Sequence, residues 1–130
     1  MSEEEDLPRA YERYTPAQLV SEARRYLEEA RRERDLRQRA EKGHLAATLA
    51  VNAIILRREL PWPRSLQARS KALSKVGREL RRLYDGLVES LHRRCFYDGI
   101  CDPEIIEEDL EDVEGLIRRA EREIAEVEHE

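Results

Sequence analysis

The sequence predicts an all-α protein, an up-and-down bundle of four or five helices built around a central apolar helix. Three observations carry that expectation. Residues 46–56, AATLAVNAIIL, hold no charge and only Thr48 and Asn52 as polar groups, in a chain where 41% of residues are charged. A helix apolar nearly all round has to be enclosed by its neighbours. Aromatic residues are 5% of the chain, so the core is Leu, Ile, Val and Ala, which favours helices over sheets. Five glycines and five prolines leave room for few turns, as long helices with short connections require.

At 130 residues and 15.3 kDa the chain is long enough for one core and not two. Residues 1–14 are acidic, carry Pro8 and show no period; they read as a mobile arm ahead of a single domain over residues 15–130. The first helix opens on Thr15 and Pro16, with Gln18 completing a capping box. Its stripe is Leu19, Ala23, Leu27 and Ala30, with Tyr26 beside it, and it stops near Glu33. Asp35 caps a second helix that runs to about Leu60, where Pro61 and Pro63 end it because neither can donate an intrahelical hydrogen bond. Trp62 folds back on the bundle end.

A third helix begins near Ser65 and shows Leu66, Leu73, Val76, Leu80 and Leu83, with a gap in the stripe at Arg69 and Ser70. Asp85-Gly86 reads as a break, because an unbroken helix to Tyr97 would far outrun the first, and a fourth helix then takes residues 87–97. The turn Asp98-Gly99 follows. Asp102-Pro103-Glu104 caps a fifth helix whose Ile106, Leu110, Val113, Ile117, Ala120, Ile124 and Val127 step by four and three throughout. That seam packs on the bundle or on a second copy.

No apolar run reaches the roughly 18 residues needed to span a bilayer, and the acidic start is unlike a signal peptide, so the expected location is cytoplasmic, with no membrane partner. Abundant acids and bases with a single Asn suit a heat-adapted protein laced with surface ion pairs. The net charge of −5 is unevenly spread. Residues 57–94 carry eleven cations against four acids, whereas residues 102–130 carry thirteen acids against three arginines. Either the two segments neutralise each other, or the first offers a basic face to phosphates. Its candidates are Arg57, Arg58, Arg64, Arg69, Lys71, Lys75, Arg78, Arg82, Arg93 and Arg94.

Each histidine has a glutamate three residues before it, which in a helix puts both on one face. Glu41, His44, Glu89 and His92 therefore form a carboxylate–histidine metal alternative of the kind ferritin-like bundles use. Glutamate is so frequent here that the spacing is weak evidence; the favoured reading has no cofactor and makes His44 a satisfied core residue. Cys95 and Cys101 flank a turn and are expected as buried free thiols, with a disulfide as the alternative. No zinc spacing, phosphate-binding glycine loop or catalytic serine triad is present.

The helix carrying Ala23, Tyr26, Leu27, Glu29 and Ala30, then Gln38, then Ala40-Glu41-Lys42 opening an alanine-rich helix, then Leu91-His92 with Phe96-Tyr97, resembles the archaeal PaREP family. That family is similar to the HEPN superfamily of helical bundles, named for a nucleotide-binding role. The resemblance implies a homodimer, a nucleotidyltransferase-like partner protein, and RNA or nucleotide as ligand. It also implies that Glu41, Lys42, His92 and Tyr97 meet as a polar cluster, either a network fixing helix register or a ligand pocket. Many HEPN proteins are ribonucleases whose motif is an arginine, four to six intervening residues, and then a histidine. His92 is the candidate histidine here, but Asp85, Gly86 and Leu87 occupy the arginine positions. The motif is broken, so the expectation is a non-catalytic interaction module, with a divergent ribonuclease centred on His92 as the alternative.

Overall fold

The computed structural model describes residues 7–128 of the chain, with side chains to residue 126. Part of the expected mobile arm is folded: a 3-10 turn over Arg9–Arg13 buries Tyr11, whose hydroxyl donates to Glu22 at 3.1 Å. Two apolar side chains, Leu7 and Tyr11, hold this stretch to the bundle.

The helices α1 (Pro16–Arg32), α2 (Leu36–Arg57), α3 (Leu66–Val76), α4 (Arg78–Leu87) and α5 (Pro103–Glu128) follow, with a π-helical segment over Val88–Tyr97 continuing α4. Their starts lie where capping chemistry puts them. Thr15 and Gln18 exchange backbone and side-chain hydrogen bonds as a complete capping box. Asp35 accepts from Gln38 N at 3.0 Å, Ser65 from Ala68 N at 3.1 Å, and Asp102 from Glu104 N at 2.9 Å.

Every residue of α2 from Ala46 to Ile55 is buried, so the charge-free helix is the centre of the core. α1 covers it with Leu19, Ala23, Leu27 and Ala30, and α5 with Ile106, Leu110, Val113, Leu116, Ile117 and Ala120. Gly43 lies in close contact with α5: a Cβ there would lie 2.6 Å from Leu110 Cδ2, so a larger residue would have to displace that side chain. Trp62 packs half-buried against the core.

The break expected at Asp85-Gly86 lies instead at Gly77. α3 and α4 double back on each other around it, as the bond from Ser70 Oγ to Asp85 Oδ2 at 2.9 Å requires. Leu73, Val76 and Leu80 keep helical phase across Gly77, so periodicity alone hides the reversal. Leu83, expected in the apolar stripe, is exposed, and α4 buries Leu80, Tyr84 and Leu87. Beyond α4 the inward positions are Leu87, Leu91 and Cys95, and Val88, His92 and Phe96, at a strict step of four. A wider helix meets that step, and Asp98 N bonds back five residues to Arg93 O at 2.9 Å. Arg37 closes the end of this segment, donating Nε to Phe96 O at 2.8 Å and Nη2 to Tyr97 O at 3.1 Å. Among the described residues no helix is long and apolar enough to cross a membrane.

Candidate functional site

The central helix carries a polar seam. Glu41, His44, Thr48 and Asn52 recur at steps of three and four, so they share one face of α2, and each meets a polar or aromatic group from the segment 69–97. Glu41 Oε1 is 2.8 Å from His92 Nδ1. The ring of His44 stacks on that of His92, centroids 4.5 Å apart. Thr48 Oγ1 shares a hydrogen bond with Tyr84 OH at 2.8 Å. Asn52 Oδ1 accepts from Arg69 Nε at 2.6 Å.

The seam is graded in exposure. At its inner end Arg69 and Asn52 are 0% exposed and Tyr84 is fully enclosed. Arg69 also donates to Pro63 O at 3.3 Å, which ties the proline loop to the core. These groups fasten α2 to α3 and α4 and are beyond the reach of any ligand. At the outer end the side chains of Glu41 and His92 are 20% and 21% exposed, so a small solute can reach them. Phe96 and Tyr97 stand beside His92, with ring centroids 5.9 and 5.7 Å from it.

His44 is the anomaly. It is 4% exposed, and its Nδ1 has no hydrogen-bond partner, contrary to the expectation of a satisfied core histidine. Burial pushes its pKa down to about 3, helped by electrostatic repulsion from His92 and Arg69, so the ring is neutral at ordinary pH. One ligand atom each from Glu41, His44 and His92 lies within 4.8 Å of the other two.

The other members of the expected sets are dispersed. Lys42 turns away from the cluster to Glu33, which caps the end of α1, at 2.8 Å. Glu89 is exposed and pairs with Arg93 at 3.2 Å, so it does not join Glu41, His44 and His92. Tyr97 is 70% exposed. Cys95 and Cys101 are joined as a disulfide across a sequence separation of six, not left as free thiols. A short separation across the turn lets the Cα atoms approach to 4.5 Å.

The basic candidates divide into three groups. Arg58 pairs with Glu123 at 3.0 Å and Arg64 with Glu12 at 2.7 Å, so these are neutralised within the fold, and Arg57 is tied down by donating to the main-chain Glu123 O. Arg57 and Arg58 share a shallow cleft of about 590 Å³ with Arg119, Arg122, Glu123 and Glu126. Arg69 is buried and is no surface contact; its place at the gap in the α3 stripe was the sequence signal for that. Lys71, Lys75, Arg78 and Arg82 are exposed, as is Arg94. With Ser70 facing Asp85 across the α3–α4 hairpin, Lys71 and Arg82, and Lys75 and Arg78, fall at nearby but offset levels of the two arms, each about half a turn from the nearest buried position.

A helical bundle whose central helix carries a polar seam, open at one end and sealed at the other, is the class that fold and site define. The chain belongs to the archaeal PaREP1/PaREP8 family, whose model matches residues 18–117 and so takes in every residue of the seam. No curated protein and no solved structure matches it.

Proposed function

We propose that the chain is a non-catalytic helical interaction module that binds RNA through the α3–α4 hairpin. One observation carries this reading: Lys71, Lys75, Arg78 and Arg82 are exposed along the two arms of the hairpin, and no ion pair involves them among the described residues. Unpaired cations in such an array attract a phosphate backbone and release its counterions. The family resemblance to HEPN bundles supports the same ligand. It also supports a homodimer, for which Tyr97, Ile100 and Ile105 are exposed apolar groups close together in the chain.

The test is binding of an unspecific single-stranded RNA across a salt series. Four phosphate contacts give a log–log slope near −3, so raising salt fourfold, from about 50 to about 200 mM, weakens binding about 50-fold. No binding at low salt, or a flat slope, removes the RNA. Light scattering in the same buffer reads the dimer, and a mass equal to one chain removes it.

A further inference from the structure

We propose that Glu41, His44 and His92 form a mononuclear binding site for a divalent first-row transition ion, of which zinc is the type. The inference is independent of RNA binding, because none of the three residues lies on the α3–α4 hairpin.

The donor set fixes the class of ion. Two imidazoles and one carboxylate suit zinc, nickel or ferrous iron, whereas magnesium and calcium take oxygen ligands. Both cysteines are in the disulfide, so no thiolate competes. Three protein ligands leave coordination positions for water, and Glu41 and His92 are open enough on their outer side to admit it.

Two independent observations point to a ligand here. The first is proximity: one donor atom from each residue lies within 4.8 Å of the others, although Glu41 and His92 come from segments 51 residues apart in the chain. Zinc–nitrogen bonds of about 2.0–2.1 Å require the donors to close to about 4 Å or less, a contraction that side-chain rotation at the two partly exposed residues can supply. The second is the buried nitrogen of His44 that has no partner. Buried polar atoms are normally satisfied, and an ion held between His44, Glu41 and His92 would give a buried imidazole nitrogen the partner it otherwise lacks. The π-helical winding of Val88–Tyr97 turns His92 toward α2, and such winding is frequent at functional sites. Without an ion, the bond between Glu41 and His92 keeps these two side chains in place.

Zinc chloride is titrated into the full chain, with cobalt(II) as a spectroscopic probe of imidazole coordination and magnesium as the control. The expected result is one ion per chain, a melting temperature raised by about 5–10 °C at a hundredfold excess over Kd, and no response to magnesium. Because His44→Ala would open a cavity in the core, the decisive changes are His92→Ala and Glu41→Gln, each weakening binding by about tenfold or more. His129→Ala removes the remaining histidine of the chain and leaves binding unchanged. The site is overturned by absence of saturable binding, by wild-type affinity in both His92→Ala and Glu41→Gln, or by loss of binding in His129→Ala.

Discussion

The imidazole of His44 lies nearly parallel to that of His92, with centroids 4.5 Å apart and planes 25° from each other. One ring is sealed and neutral while the other reaches solvent, so the pair conducts the polarity of the bundle's rim into its core. An enclosed nitrogen without a partner costs about 1–3 kcal/mol. His44→Leu removes that nitrogen at similar volume, and urea unfolding should give a stability within about 1 kcal/mol of the parent, or higher. Zinc binding should vanish in the same variant. His44→Ala instead leaves a cavity and costs about 2–4 kcal/mol. A large loss for the leucine variant would mean that the nitrogen is satisfied.

Arg69 and Asn52 form the sealed end of the seam, and their coupling is measurable. Asn52→Leu takes the acceptor from a buried guanidinium and should cost about 2–3 kcal/mol. Arg69→Met leaves Asn52 without its donor, and the double variant should recover part of the combined loss, as buried polar pairs replaced together by apolar groups do. Denaturant unfolding of the four proteins gives the coupling directly; additive losses would show that the two residues act apart.

Much of this architecture was legible locally. Thr15, Asp35, Ser65 and Asp102 mark helix starts because capping depends on a residue and its next three neighbours, and the α5 seam is visible because one buried face imposes a heptad. What was hidden depends on distance. Gly77 reverses the chain without disturbing the apolar phase, and the four-residue step at Leu87, Leu91 and Cys95 is ambiguous until a π-helix is considered. Arg69 counts as surface charge in any tally, and only its position in the stripe shows that it is buried. His44 and His92 sit 48 residues apart, and their stacking follows from the packing of α2 on the π segment, which neither local sequence encodes.

Glu114 joins α1 to α5 and makes the fold sensitive to acid. It takes bonds from Arg24 at 2.6 Å, Arg118 at 3.1 Å and Arg31 at 3.3 Å while only 16% of its side chain is exposed. Burial alone would raise its pKa, but the arginines outweigh burial and the net shift is downward. A carboxyl with a lower pKa folded than unfolded stabilises the fold above the ordinary carboxylate range, and that contribution fades as pH falls through the folded value. Glu114→Gln should therefore lose about 1–2 kcal/mol at neutral pH, and its stability should converge on the parent's in acid. A constant difference across pH would exclude this linkage.

The disulfide closes a loop next to the π segment that holds His92. A loop of this size stabilises by about 2 kcal/mol through the unfolded chain, so Cys101→Ser should lose that amount and a reducing agent should do the same to the parent. Amide exchange should rise first over residues 93–100, where Arg37 and the disulfide together restrain the helix end. Equal exchange in oxidised and reduced protein would mean that Arg37 suffices.

Paired and unpaired cations make opposite predictions, which separates the hairpin from the arginine cleft as the RNA face. Arg58 is committed to Glu123, which also takes Arg119 at 3.1 Å, so Arg58→Glu sets like charges against each other. It should lower stability by about 1 kcal/mol or less and leave RNA affinity nearly unchanged. Lys75→Glu with Arg78→Glu touches no ion pair, so stability should stay within about 0.5 kcal/mol. RNA affinity at low salt should nevertheless fall by about tenfold or more, and the salt slope should flatten by about 1.4, or 0.7 for each lost contact. If Arg58→Glu proved the more damaging to binding, the phosphates would lie in the cleft between α2 and α5, where Glu123 must first release its arginines; the salt slope would then carry the cost of breaking those pairs and would exceed the number of phosphates contacted.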